Sequence, residues 1–448
     1  MLAIRRINSI YLNMKDFSYY ERQLLACLPH RFRDSVNGSI QSFEQSRSLL
    51  QIYKRAVESW PTNIEKRQVA LAAFGSLGRL DGSTLTSDYD VLHLYAGVAD
   101  DECFKVIREA IKKLLQNNEA LPFESRDRIA NETLDFHRCP AYQILSVEEL
   151  LGDTKQIQAL QLLTESRTVL GEDMVFDIRE RVLRKHGYSD NEFEVNYSPL
   201  REGLLQLNTS YRKEVMGRLA KENRTLLNRK VLKLFTLREF FYLATLFALV
   251  EAALAGCKRR GSVSETLRIL SAPCILKLAA SGNPTGPLSQ LIYGHSVEVA
   301  AEVTRITSRH IKNLLLEPDS AIDEESGETS GVATSAKEND FSSNFRTLAL
   351  APLAKYDILL RRLHDPEFLV LIDRFRPDIT TWLGHKEFNA MLSLRRQLIQ
   401  FTVSLAYCLN EVLQYINKSS PSPALDDAIK TLEVIIDYRL DAEPNKTV

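Results

Sequence analysis

The chain has 448 residues, a mass of 51.0 kDa and a formal net charge of −1, from 57 Lys+Arg against 58 Asp+Glu. That balance excludes a protein that coats nucleic acid through bulk charge and leaves only local basic patches for such contacts. With 44% hydrophobic and 26% charged residues the chain is globular rather than collagenous or wholly disordered, and at roughly 150 residues per domain its length suggests about three units.

Residues 1–66 read as an N-terminal helical region. Apolar residues recur at three- and four-residue steps through Leu24, Leu25 and Leu28, then Leu49, Leu50, Ile52 and Tyr53. SVNGS, Ser35 to Ser39, separates them as a polar turn. The start, MLAIRRINSIYLNMKDF, lacks a long apolar core and a small-residue cleavage site, so it does not read as a secretory signal.

From Val69 the pattern changes. VALAAFGS is a short apolar run ending in Gly-Ser, the pattern of a buried strand, and YDVLHLY alternates as a second strand. ECFKVIREAIKKLLQNN then has helical period, and TLDFH, Thr133 to His137, alternates as a third strand. Two strands, a helix and a further strand make a small α/β unit, set at residues 67–175.

Beyond it the chain is nearly all helical. Periodicity predicts helices over Lys155–Leu170, Phe176–His186, Leu200–Cys257, Ser264–Ala280 and Val297–Leu316, with residues 176–316 as a helical domain. Residues 317–342 form an acidic linker. Glu317 to Asp340 holds eight acidic residues against Lys337 alone, a composition that buries too little to order itself. Residues 343–448 return to helical pattern.

Phe240 to Cys257, FFYLATLFALVEAALAGC, is nearly long enough to span a membrane, which needs about 20 apolar residues. Glu251 would be costly in lipid, and no second such segment exists, so a helix inside a bundle is expected, with no membrane partner. Val297–Leu316 and Met391–Ile416 are expected to surround it, with Glu251 near an edge or opposite a basic partner. The scattered cysteines form no CxxC pair and no zinc-ligand cluster, which suggests reduced thiols and a cytoplasmic protein.

The segment that points to chemistry is Phe74 to Tyr95, FGSLGRLDGSTLTSDYDVLHLY. Alternate residues on a strand face the same way, so Asp88 and Asp90 are expected to project together with Tyr89 turned away. Two adjacent carboxylates repel each other and attract a divalent cation; all-oxygen ligation suits Mg²⁺ or Mn²⁺, with phosphate oxygens completing the shell. Gly75 and Ser76 stand where the strand gives way to a turn, and backbone N–H groups with the Ser hydroxyl suit a phosphate.

This arrangement resembles the DNA polymerase β-like nucleotidyltransferase superfamily, marked by Gly-Ser or Gly-Gly, a gap of about ten residues and Asp-x-Asp. Here the gap is the eleven residues Leu77 to Ser87. The pattern GSxGR…SDxD is similar to the branch containing the PII-protein uridylyltransferases and the nucleotidyltransferase domains found beside CBS and cyclic-nucleotide-binding modules. A weaker likeness covers Leu162, Leu163, Arg167 and Gly171, which match a family helix. The resemblance spans roughly residues 45 to 185.

The resemblance implies an α+β fold, a small nucleotidyltransferase domain embedded in a predominantly helical protein. It implies transfer of a nucleoside monophosphate from an NTP to a hydroxyl of a protein, RNA or nucleotide acceptor. Asp88, Asp90 and a third carboxylate would be catalytic and hold the metal; Asp135 is the first choice and Glu132 the alternative. His137 would share the face of Asp135, where a lone His is more often structural. Gly75 and Ser76 would grip the triphosphate, with Arg79 assisting.

PII-modifying members carry Gly-Gly where this chain has Gly-Ser and continue into HD and ACT domains. The Gly-Ser pair in place of Gly-Gly speaks against PII as the acceptor. Tyr211 to Arg238 carries nine basic residues against Glu214 and Glu222. Lys221, Arg224 and Lys230 are candidates to contact the triphosphate; a solvated basic face and an RNA-contacting surface are the other readings. The non-enzymatic alternative is a degenerate nucleotidyltransferase fold serving as a regulatory or partner-binding protein.

Overall fold

The computed structural model describes residues 36–58, 69–82, 91–96, 113, 116–117, 144–153, 156–185, 197–219, 233–258, 263–281, 291, 297–316, 341–374 and 386–437. The protein is α+β in the sense of being mostly helical with one small sheet.

β1 (Val69–Ala73) is five apolar residues, all buried, as expected of a strand covered on both faces. β2 (Val91–Tyr95) pairs with it antiparallel, from Val69 opposite Tyr95 to Ala73 opposite Val91. β3 (Ile144–Ser146) runs parallel to β2, and β4 (Arg167–Leu170) pairs antiparallel with the other side of β1, giving the order β3-β2-β1-β4. The first two strands lie where the apolar run and the alternating run placed them. The helix expected over ECFKVIREAIKKLLQNN falls almost wholly outside the described residues, and the strand expected at TLDFH falls wholly outside them.

Around the sheet, SVNGS turns into helix sooner than its turn chemistry suggests: α1 (Asn37–Glu58) begins at its third residue. Its first turn is stabilised from a distance, because the Asp357 carboxylate accepts the N–H groups of Gly38 and Ser39 at 3.3 and 2.8 Å. Lys155–Leu170 is not one helix: α4 (Gln156–Thr164) ends and β4 follows. Before it, α3 (Val147–Leu151) starts at a reciprocal capping box between Ser146 and Glu149. α5 (Glu172–Lys185) covers β1, and α1 packs on β4.

The helical part begins with α6 (Ser198–Leu219). A single π-helical turn, Leu234–Arg238, leads directly into α7 (Glu239–Lys258). The expected helix at Ser264–Ala280 is two, α8 (Val263–Leu270) and α9 (Cys274–Ser281), separated at Pro273, whose ring removes a backbone donor. α10 (Val297–Leu316), α11 (Phe341–His364), α12 (Pro366–Asp373), α13 (Lys386–Ser419) and α14 (Pro423–Ile436) follow. The acidic stretch Glu317–Asp340 lies outside the described residues.

α7 is apolar around its whole circumference, and every residue from Glu239 to Leu254 is buried. A helix of that kind needs neighbours on all sides. As expected, it lies inside a bundle, but its coat differs from the one anticipated. It packs chiefly on α14, α9, α8 and α6, while α10 lies against α11 and α13. Glu251 is only 2% exposed, so it is not at an edge. Among the described residues no helix is long and apolar enough to cross a membrane.

Candidate functional site

The Gly-Ser turn has a backbone that its sequence explains. β1 stops at Ala73, Phe74 is extended, and Gly75 takes φ 64°, a conformation that disfavours a Cβ. α2 (Gly75–Arg79) is a single short turn of helix whose five residues are all buried. Leu80 closes it at φ 61°, a left-handed conformation costing a non-glycine residue roughly 1 kcal/mol. Its N–H donates to the Leu77 carbonyl at 3.2 Å, and the Asp81 N–H donates to that of Ser76 at 3.1 Å. A Cβ on Gly78 would lie 2.1 Å from the Glu165 carbonyl oxygen and 2.7 Å from that of Ala73. The second glycine of GSLGR therefore lets α2 seat directly on the end of α4.

Arg79 is turned into the protein. Its guanidinium donates to Asp81 Oδ2 at 2.9 Å and to Glu165 Oε2 at 2.7 Å, and its side chain is only 2% exposed. Burial pulls its pKa down, but Asp81 and Glu165 more than compensate and hold it well above the ordinary arginine value. Glu165 is the hub. Its other oxygen accepts from Arg238 Nη2 at 3.1 Å. Burial pushes its carboxyl up, and Arg238 and Arg79 outweigh that, leaving it below the usual range. Asp81 also accepts from the Tyr356 hydroxyl at 3.3 Å, and the Gly82 N–H donates to Ser46 Oγ at 3.1 Å. The turn is thus tied to α1, α4, the π turn and α11.

The C-terminal end of α4 gathers cations, as the negative end of a helix should. Arg179 donates to the Leu162 and Ser166 carbonyls at 3.0 and 2.8 Å. Lys277, on α9, donates to the Thr164 carbonyl and to Thr245 Oγ1, each at 3.0 Å. Its ammonium lies 4.3 Å from the centre of the Phe241 ring, whose distance from the Arg79 guanidinium carbon is 5.3 Å. Burial drives the Lys277 pKa down to about 7, and it drives the neighbouring Cys274 thiol up to about 12. Gly171, after β4, has φ 73°, and a Cβ there would meet Ala70 Cβ at 2.7 Å. Of the residues matched to a family helix, Leu162 and Leu163 lie in α4, but Arg167 opens β4 and Gly171 follows it.

Gly75, Ser76 and Arg79 are therefore brought together in one turn at the end of β1. Asp88, Asp90, Asp135, the alternative Glu132, and the basic Lys221, Arg224 and Lys230 lie outside the described residues. Val91, the residue after Asp90 in sequence, is the register partner of Ala73, two residues before Gly75. Among the described residues no group of three or more His, Cys, Asp or Glu side chains is arranged to hold a metal ion. Glu165, Lys277 and Tyr356 escaped sequence reasoning, and Arg238 was read only as the end of the basic stretch, since each partner lies far along the chain. Asp81, two residues after Arg79, was the one visible signal.

Comparisons with protein-family models, with curated proteins and with solved structures find no match to this chain.

Proposed function

We propose that the protein is a Mg²⁺-dependent nucleotidyltransferase that moves a nucleoside monophosphate from an NTP to an acceptor hydroxyl. The observation that supports this most directly is the β1–β2 register. Ala73 opposite Val91 brings the residues leading into Gly75-Ser76 beside the strand whose sequence is entered from Asp88-Tyr89-Asp90. A phosphate-binding turn and a carboxylate pair at one end of one strand pair is the arrangement phosphoryl transfer needs.

In this reading Gly75 and Ser76 hold the triphosphate, and Asp88 and Asp90, with Asp135, would hold the metal. When bound, Mg²⁺ supplies charge neutralisation for the phosphate oxygens. The bond from the acceptor oxygen to the α-phosphorus forms, the bond from that phosphorus to the bridging oxygen breaks, and pyrophosphate leaves. The acceptor hydroxyl proton passes to Asp135. Arg79, held by Asp81 and Glu165, shapes the turn from behind.

The test is incubation with each α-³²P-labelled NTP, Mg²⁺ and whole-cell extract. The expected result is one NTP that labels a protein, an RNA or a small product. Absence of label with all four would overturn the proposal in favour of a nucleotidyltransferase-like regulator.

A further inference from the structure

We propose that Arg238 is a positioning residue for the Gly75–Asp81 turn, acting on it through Glu165. The proposal rests on the reading of that turn as the triphosphate grip and adds how the helical region controls it. The Glu165 side chain is fully buried and its two oxygens are divided: Oε2 goes to Arg79 of the turn and Oε1 to Arg238 at the head of α7. The three side chains form one relay, Arg238–Glu165–Arg79, and Asp81 closes it back onto the turn. The same residue holds the turn a second way, because the Glu165 carbonyl is the surface on which Gly78 rests.

The local helix geometry explains how Arg238 reaches this position. It is the last residue of the π turn Leu234–Arg238. A π turn inserts an extra residue and shifts the following side chains by about 100° around the axis, and such turns concentrate at functional sites. Arg238 also ends the basic stretch that begins at Tyr211. Immediately after it α7 enters the bundle, and the adjoining Glu239 pairs with Arg395 on α13, the Arg395 Nε lying 2.8 Å from Glu239 Oε2. One helix end is therefore fixed to the bundle by Glu239 and to the turn by Arg238. A movement of the helical region, such as acceptor engagement would bring, reaches the turn through that pair.

Arg238→Gln is the informative variant. Glu165 keeps Arg79 as a partner, and the Arg238 side chain is the most exposed of the three at 14%, so the fold is expected to survive. Amide exchange over residues 74–82 should accelerate about tenfold in this variant, while exchange in α13 and α14 stays at the wild-type rate. The KM for the NTP should rise roughly tenfold, with kcat changed less, and Arg238→Lys should recover part of the loss. Unchanged exchange at the turn, or an equal increase throughout the protein, would overturn the coupling. Faster exchange at the turn with an unchanged KM would overturn its part in the reaction. If the wild type labels nothing with any NTP, the functional reading fails, and the exchange measurement still decides whether Arg238 governs the turn. If Arg238→Gln does not fold, the same exchange comparison on Arg238→Lys decides the coupling.

Discussion

The α-carbon of Gly78 faces the backbone carbonyl of Glu165 so closely that a methyl group there would sit 2.1 Å from its oxygen. The Ala73 carbonyl, at 2.7 Å, blocks the other side. Both obstacles are backbone, so neither can swing away as a side chain would. Gly78→Ala should therefore separate α2 from α4 and strain the Arg79–Glu165 pair. The expected loss is about 3 kcal/mol, the upper end for overpacking. Urea unfolding of the variant measures it, and a midpoint within error of wild type would show that the two segments are not tightly seated.

Asp357 reaches from α11 to the start of α1, accepting from the Gly38 and Ser39 N–H groups and from Ser39 Oγ at 2.9 Å. It does for α1 what an N-cap side chain does locally, although 318 residues separate it from Ser39. Asp357→Ala should cost about 2 kcal/mol and loosen the first turn. Faster amide exchange over residues 37–42 than over residues 46–52 is the specific signature. A uniform change along α1 would assign the loss to packing instead.

The contrast between these two positions shows what was legible in the sequence. β1 and β2 were visible because an apolar run and an alternating run carry their period within a few residues. The bundle placement of Phe240 to Cys257 was visible because Glu251 and the lack of a second apolar segment argued against lipid. β4 was hidden, since Arg167–Leu170 is four residues long and the apolar period of the preceding helix runs on through it. The start of α1 was hidden because Asn37-Gly38-Ser39 has turn chemistry, and the group that makes it helical belongs to α11. Gly75, Ser76 and Arg79 were singled out by a motif. The burial of Arg79 was not, because Glu165 comes 86 residues later. Local period reads from local sequence; long-range ion pairs do not.

Asp88 and Asp90 carry the most direct test of the proposed chemistry. Replacing both by Asn keeps size and hydrogen bonding while removing two negative charges. Loss of that metal site should reduce nucleotidyl transfer by at least about 10³-fold. β1 is apolar and buried throughout, and Leu92 and Leu94 of β2 are buried with it, so the thermal unfolding midpoint should move little. Turnover within tenfold of wild type would remove these carboxylates from the mechanism.

His364 gives the protein a pH dependence whose sign follows from its surroundings. Its Nε2 lies 3.1 Å from Ser42 Oγ, and that hydroxyl donates its only hydrogen to the Gly38 carbonyl at 2.9 Å. The imidazole must then be the donor at Nε2, which leaves Nδ1 without a proton in the neutral ring. Nδ1 is buried and has no hydrogen-bond partner among the described residues. Protonation would place a second N–H and a full charge there. Burial accordingly lowers the pKa to about 4, with Asp81 opposing and Lys233 assisting, against an ordinary value of 6.5. Above pH 6.5 the ring is neutral in both folded and unfolded chains, and its contribution is fully present. As the pH falls from 6.5 to 4 the unfolded chain takes up a proton that the folded one refuses, and about 3 kcal/mol is lost. His364→Gln cannot titrate, while the carboxylates that also respond to acid are common to both proteins and cancel in the comparison. The difference in unfolding free energy between wild type and His364→Gln, measured in urea at pH 7 and at pH 4, should therefore change by about 3 kcal/mol against the wild type. Parallel pH profiles for the two proteins would show that His364 is protonated in the fold at no cost.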